Sequence, residues 1–324
     1  MISVCIPVYN SEKYLLKCLE SLANQTFKDF EVIVIDDCSS GTNESGWNCK
    51  KICKVFSKQT KFKVHYYRNS RNLGCLESRR NATYHAQGDY IFFLDSDDSL
   101  KPECLEKLYK CAEQNQADIV QCGATIAVSE SYSGDFLEPL QEKVNLLFEG
   151  TLQGEQIFNS ANLEHKMNFF VWGKLIKRDI LLSVWDNIPF CYCVWAEDYL
   201  IFLLISFFAE HYAGIKDELY IYSAETGISA VNKIDSLESW EKFCSTASAF
   251  TIVFEFLNNY KNKITSEQKD AVQRQCNTYA LTSYQKIKKS VSDELQEQAY
   301  SLLCEYWGKD YIENIVRSAS RAIN

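Results

Sequence analysis

Four short apolar runs in the first hundred residues each end at a polar or acidic cluster. Ile2–Pro7 (ISVCIP) leads into Tyr9-Asn10-Ser11, and Glu31–Asp36 (EVIVID) into Asp37-Cys38-Ser39-Ser40-Gly41. Lys63–Tyr67 (KVHYY) leads into Asn72-Leu73-Gly74, and Asp89–Leu94 (DYIFFL) into Asp95-Ser96-Asp97-Asp98. Runs of this length, rich in β-branched and aromatic residues, predict buried strands. Between them the spacing predicts helices. Tyr14, Leu15, Cys18, Leu19 and Leu22 fall on one helical face, with Ser11 as the expected cap. Further helices are expected over Asn48–Lys58, over Leu76–Ala86 up to Gly88, and over Glu103–Asn115 behind Pro102, before a strand at Ala117–Ala127. Strands alternating with helices imply an α/β fold, with a mostly parallel sheet flanked by helices. Such sheets bind ligands at the carboxyl ends of their strands, and the polar clusters lie at those ends.

The 324 residues allow one large domain or two smaller ones. The helical pattern from about Ser236 to the end sets a boundary near residue 230, and Ser129–Gln153 reads as a polar loop with a variable strand. The net charge is -9, from 34 basic and 43 acidic residues, which argues against nucleic acid as a partner. From Lys233 to Asn324 the charges balance, 12 against 12, so the whole acidic surplus lies in the first 232 residues. A neutral tail argues against a basic membrane anchor, and packing or homodimerisation through 231–324 is the expectation, with weak peripheral membrane attachment as the second choice. Fourteen cysteines lie scattered through apolar stretches, without zinc-ligand spacing, as in a reducing cytosol. Tyr199–Ala209 (YLIFLLISFFA) is apolar for 11 residues, against about 20 needed to span a bilayer.

Several clusters suit chemistry. Three carboxylates in Asp95-Ser96-Asp97-Asp98 repel one another unless solvated or shared with a cation, and hard oxygen ligands suit Mg²⁺ or Mn²⁺. A solvated turn capping the next helix is the other reading. Asp37 suits a base or ribose hydrogen bond, or a simple turn. Tyr9 offers a flat face for a base, or a rim aromatic. Of Arg79 and Arg80, which point to different faces, one is able to reach a diphosphate while the other pairs with a carboxylate. In Trp195-Ala196-Glu197-Asp198 the two acids either stabilise a helix start or include a general base, with Trp195 as a sugar platform.

The order of these pieces is Pro-Val-Tyr-Asn, Asp-Asp-x-Ser, Asn-x-Gly-x4-Arg-Arg-Asn, Asp-Ser-Asp-Asp, then Glu-Asp. Together they resemble glycosyltransferase family 2, inverting nucleotide-sugar transferases with the Rossmann-like GT-A fold. The resemblance is close from Met1 to about Leu105. It continues through Trp172-Gly173-Lys174-Leu175 and Glu197-Asp198, and so covers roughly residues 1–230. It implies a catalytic domain at 1–230, with a nucleotide-sugar half at about 1–116 and an acceptor half at about 117–230, followed by a helical region at 231–324. It implies that Pro7, Tyr9, Asn10 and Asp37 hold the nucleoside, most often uridine. It further implies that Arg80, Asp95 and Ser96 lie on the nucleotide sugar, and that Asp97 ligates Mn²⁺ or Mg²⁺. Asp198 would be the catalytic base, with Trp195 and Glu197 on the acceptor side. The implied partners are a UDP-sugar and a glycan or lipid-linked saccharide. The implied setting is bacterial surface-glycan synthesis, in the cytoplasm or on the inner face of the membrane. The chain departs from the family at Tyr220–Ser229, which has no His or Arg where many members carry them, leaving Glu225 or water as the substitute. Two other classes compete. A sugar-1-phosphate nucleotidyltransferase usually opens with a Gly-rich loop, and Ser3–Glu12 has no Gly. A non-enzymatic acidic-pocket module of the phospho-receiver kind has about 120 residues, far fewer than this chain.

Overall fold

The structure is a computed structural model that describes residues 1–60, 62–128, 137–226 and 233–323. The chain divides into two compact units, Met1–Asn187 with Ile201–Ala230, and Ile188–Leu200 with Val231–Asn324. The segment 188–200, expected with the first 230 residues, thus groups with the C-terminal helices.

The first unit runs β1 (Ile2–Val8), α1 (Glu12–Ala23), β2 (Phe30–Asp36), α2 (Cys49–Thr60), β3 (Val64–Arg68), α3 (Cys75–His85), β4 (Tyr90–Phe93), β5 (Ser99–Leu100) and α4 (Cys104–Asn115). It continues with β6 (Ile119–Ala127), α5 (Leu137–Val144), β7 (Gly150–Gln153), α6 (Glu155–Asn162), β8 (Lys174–Lys177) and α7 (Arg178–Asp186). Helix α8 (Glu197–Phe208) precedes β9 (His211–Ser223), and the dividing line between the units falls after Leu200, inside α8.

Among the described residues nine strands form one sheet in the order β3-β2-β1-β4-β8-β6-β9-β5, with β7 paired to β9. Strands β1 to β4 pair in parallel. Strand β8 is inserted antiparallel between β4 and β6, and β6 pairs in parallel with β9. Six strands therefore share one direction. The three that oppose it are β5, β7 and β8, of two to four residues each. A mostly parallel sheet is thus present, but its second half is mixed.

Every residue of β1 is buried, because helices cover both faces of a parallel sheet and its strands become continuous apolar runs. Helix α1 buries Leu15, Cys18, Leu19 and Leu22 against the same core, each worth about 1.5–3 kcal/mol for the larger side chains. Cys18, Cys49, Cys53, Cys104 and Cys122 pack in this core as small hydrophobes. Gly88 is fixed by a close approach. A Cβ there would stand 2.7 Å from the Ser3 backbone nitrogen and 2.9 Å from the Ile2 carbonyl carbon. Where a loop with a variable strand is expected at Ser129–Gln153, the structure has α5 and β7, and residues 129–136 lie outside the described set.

Asp118 joins three strands at the opposite end of the sheet. It stands at the entrance to β6 and accepts from Lys177 Nζ at 2.7 Å and from the backbone N–H groups of Glu210 and His211 at 2.8 and 2.9 Å. Burial pushes its pKa up, but Lys177 and the two N–H groups outweigh burial and hold it below the ordinary carboxylate value. A depressed folded-state pKa gives stability that is present above the unfolded-state value and lost as pH falls through the folded one. Asp118→Asn is therefore expected to cost about 1.5–3 kcal/mol near neutral pH, with the cost beginning to fall below about pH 3.9 and largely gone below the folded-state pKa. Urea unfolding of both proteins across that range measures the difference.

The second unit adds α9 (Leu237–Cys244), α10 (Thr246–Asn259), α11 (Ser266–Ser290), α12 (Gln296–Trp307) and α13 (Lys309–Ile323). The apolar stripe Phe243–Leu257 is broken at Ser245, between α9 and α10. Helix α11 starts at a capping box of Thr265 and Gln268. Trp240 is fully buried, and its Nε1 donates to the Ala299 carbonyl at 2.8 Å. Among the described residues no helix is long and apolar enough to cross a membrane.

Candidate active site

Strands β2, β1 and β4 are parallel neighbours, so their exits lie side by side at one edge of the sheet. Three polar links tie those exits together. Asn10, in the left-handed conformation at φ 51°, donates its backbone N–H to Ser39 Oγ at 3.1 Å. Its Oδ1 accepts from the Ser40 backbone N–H at 2.9 Å. Ser11 occupies the cap position of α1, yet its hydroxyl bonds Ser96 Oγ at 2.6 Å instead of capping the helix. Pro7 is buried within β1, while Tyr9 is 50% exposed at the rim.

The two acids at the β2 exit are held by the chain itself. Asp36 is buried and accepts from Tyr66 Oη at 2.5 Å, Arg68 at 2.6 Å and the Ser39 N–H at 2.8 Å. Burial pushes the Tyr66 hydroxyl up, and the Asp36 carboxylate adds to the shift. Asp37 is 3% exposed. Its Oδ1 accepts from Asn69 Nδ2 and the Leu73 N–H, and its Oδ2 from the Gly74 N–H, all at 2.8 Å. Asp37 therefore fixes the loop that starts α3.

The acidic turn after β4 divides into a buried strut and an open pair. Asp98 is 3% exposed and turns inward, accepting from Tyr220 Oη at 2.6 Å and the Ser223 N–H at 2.7 Å. Burial raises its pKa well above the ordinary value, and the charges of Asp95 and Asp97 add to this. Tyr220 also accepts from the Asp95 N–H at 3.2 Å, and Ser223 Oγ donates to the Asp97 carbonyl at 2.7 Å. Strand β9 thus clamps the turn. Asp95 and Asp97 are left part-exposed. The Asp97 pKa is raised by burial and by Asp95, against the Thr226 hydroxyl. Arg79, only 2% exposed, donates to Asp95 Oδ1 at 3.1 Å.

The donor chemistry of this turn fits a hard divalent cation. Two part-exposed carboxylates side by side repel one another, and a cation shared between them offsets that repulsion. Among the described residues no group of three or more His, Cys, Asp or Glu side chains forms a complete cage. A Mg²⁺ or Mn²⁺ held by one or two carboxylates completes its shell with waters and substrate phosphates.

In the second unit, Ala196 has φ 72°, a conformation that costs an alanine about 1–2 kcal/mol. Its carbonyl accepts from the Leu200 N–H at 3.0 Å, so the strained residue starts the helix on which Glu197 and Asp198 form the first turn. Strain of this kind persists where the surroundings impose it, and functional segments are common places. The Tyr279 hydroxyl is pushed up by burial and then by the charges of Asp198 and Glu197. The Trp195 ring packs on Phe243 with centroids 5.0 Å apart.

The model of a family described as Glycosyl transferase family 2 matches residues 3–185. The chain belongs to glycosyltransferase family 2. Glycosyltransferase GlyA of Streptococcus pneumoniae is 30% identical over 230 residues, covering 70% of this chain and 31% of GlyA. The chain spans 31% to 60% of the length of three relatives of this kind. Residues 1–349 of S. aureus TarS in complex with UDP-GlcNAc align with a TM-score of 0.58 at 19% identity, covering 99% of this chain and 92% of that one. The mannosyltransferase PcManGT from Pyrobaculum calidifontis, in complex with GDP-Man and Mn²⁺, aligns with a TM-score of 0.53 at 13% identity, covering 100% and 80%. At these identities the two structures share the fold, an α/β GT-A architecture followed here by helices.

Among the residues assigned by the family resemblance, Tyr9, Asn10, Ser96, Asp95 and Asp97 come together at the β1 and β4 exits. Arg80 stands in α3 at the position after Arg79. Its guanidinium lies 3.4 Å from Glu77 and over the Trp185 ring at 5.6 Å. Arg79 is the residue on the acidic turn. The helical pattern held this signal, since Leu76, Arg79, Ala82 and Thr83 share the buried face of α3. Trp195, Glu197 and Asp198 belong to the second unit. Tyr220 and Ser223, which clamp the turn, were missed because hydrogen bonds across 122 to 126 residues leave no local pattern. Of Tyr220–Ser229, residues 227–229 lie outside the described set.

Proposed function

We propose that this family member is an inverting transferase that moves a hexose or N-acetylhexosamine from a UDP-sugar to a hydroxyl of a glycan or lipid-linked acceptor. The observation that carries the proposal is the convergence of Tyr9, Asn10, Asp95, Asp97 and Arg79 at neighbouring strand exits. The UDP-GlcNAc complex of TarS and the GDP-Man and Mn²⁺ complex of PcManGT support a nucleotide-sugar donor and a divalent cation. In this assignment residues 1–116 serve the donor, 117–230 the acceptor, and 231–324 form the helical addition.

Tyr9 offers its exposed face to the base. Asn10 and Asp37 order the two loops beneath the nucleoside, and Ser96 holds the β4 turn against α1. Asp97, with Asp95 beside it, would hold the cation, which when bound supplies positive charge against the departing diphosphate. Arg79 fixes Asp95 in direction through its hydrogen bond.

An acceptor hydroxyl is too weak an acid to attack unaided at neutral pH. Asp198 takes its proton as the bond to the anomeric carbon forms, with Glu197 and Trp195 orienting the acceptor. Attack opposite the leaving group inverts the anomeric centre, so an α-linked donor yields a β-glycoside. The transition state has oxocarbenium character.

The test is a panel of UDP- and GDP-sugars incubated with the protein and Mn²⁺ or Mg²⁺. Slow release of UDP from at least one UDP-sugar is expected. No release from any donor, or pyrophosphate release from UTP and a sugar 1-phosphate, would overturn the proposal.

A further inference from the structure

Lys286 lies in the last turns of α11 with its ammonium 4.7 Å from the Phe243 ring centroid and 5.6 Å from that of Trp195. Phe243 also stacks on the fully buried Trp240, with centroids 6.0 Å apart. The lysine therefore sits on a fixed aromatic wall. Among the described residues no carboxylate lies within 4 Å of its Nζ, and none takes a hydrogen bond from it.

Several other cations have polar partners. Arg68 has Asp36, Arg79 has Asp95, and Lys177 has Asp118. The fully buried Lys174 donates to Asn168 Oδ1 at 2.7 Å and to the Phe170 carbonyl at 2.5 Å. Among the described residues the three N–H donors of Lys286 meet no protein acceptor, and burial lowers its pKa below the usual lysine value. A lysine that only covers apolar surface extends its head into water. This one keeps its charge over two rings, where cation–π attraction holds it while its donors point to no protein group.

We propose that Lys286 binds an anionic group of the acceptor, a phosphate ester or a uronate, seated against Trp195. The proposal rests on the assignment of Trp195-Ala196-Glu197-Asp198 as the acceptor segment. Lys286, Trp195 and Asp198 all belong to the second unit. An indole face takes the C–H face of a sugar ring or a polyol chain, and the ammonium beside it takes the negative charge. Lys288 and Lys289 follow in the same turn, both exposed, and add positive potential without a wall to define a position.

The first test is direct binding to the full chain. Lysines are converted to ¹³C-dimethyl derivatives, which keep their charge, and the Lys286 signal is assigned by its loss in Lys286→Arg. Glycerol 3-phosphate, glucuronate and neutral glycerol are titrated separately. The Lys286 signal is expected to move saturably with one or both anions and not with glycerol, while the Lys288 and Lys289 signals drift with ionic strength. The two anion arms identify which group is bound. A Lys286 signal that moves no more than those of Lys288 and Lys289 overturns the proposal.

The second test compares transfer to an anionic acceptor and to its neutral counterpart. Lys286→Met should lower the ratio of the two kcat/KM values by about tenfold or more. An unchanged ratio counts against the proposal even if the variant is partly unfolded, since both acceptors meet the same enzyme. Failure of the whole donor panel would sink the transferase assignment and leave the titration to decide Lys286 by itself.

Discussion

Asp198→Asn is expected to slow sugar transfer by about 10²–10⁴-fold, the usual contribution of a positioned general base. The amide keeps the size and much of the polarity of the carboxylate, but it cannot take a proton from the acceptor hydroxyl at neutral pH. The helix start is retained because Glu197 still places an acid in the first turn of α8. UDP affinity should be nearly unchanged, since the residues assigned to the nucleotide lie at the exits of β1, β2 and β4. The split between lost transfer and retained binding is the diagnostic result, because a merely unfolded variant loses both. Transfer at the parent rate would remove Asp198 from the mechanism.

Arg79→Met and Arg80→Met should separate two residues that are adjacent in sequence and different in surroundings. Arg79 is buried and donates to Asp95, so its loss leaves that carboxylate uncompensated beside Asp97. Removing one partner of a buried ion pair costs about 3–5 kcal/mol. The part exposure of Asp95 places Arg79→Met at the low end of that range. The same excess negative charge repels a diphosphate, and UDP affinity should fall by at least about tenfold, or 1.4 kcal/mol. Arg80→Met removes a guanidinium from Glu77 and from the Trp185 face, which lowers stability without altering the acidic turn. Its UDP affinity should stay near that of the parent. Calorimetric titration of both variants with UDP, alongside urea unfolding, measures the two effects separately. The reverse order of affinities would restore Arg80 to the nucleotide.

The sequence carried the strands of the first half because each is a short run rich in apolar, β-branched or aromatic residues ended by a polar cluster. It did not carry β5 and β8, which are short, and it carried β7 only as a variable strand somewhere in Ser129–Gln153. It placed the polar and acidic clusters at strand exits, where the structure has them, but could not divide the acids by their bonding. Asp36, Asp37 and Asp98 look like Asp97 in sequence, yet those three are internally bonded through Tyr66, Arg68, Asn69, Gly74, Tyr220 and Ser223, all distant along the chain. The case of Ser11 is similar. A cap is the local expectation, and a hydroxyl 85 residues away is the partner that wins. For Arg79 the signal was in the helical spacing, since it shares the buried face of α3, but the sequence left open which of the two arginines that was.

Calorimetric titration of the parent protein with UDP, once with Mn²⁺ and once with a chelator, tests the donor site most directly. Saturable binding with Mn²⁺, weakened sharply by the chelator and by Asp97→Asn, is the expected result. A folded parent protein that takes up no UDP with either Mn²⁺ or Mg²⁺ would contradict the assignment of the β1, β2 and β4 exits as a nucleotide-sugar site.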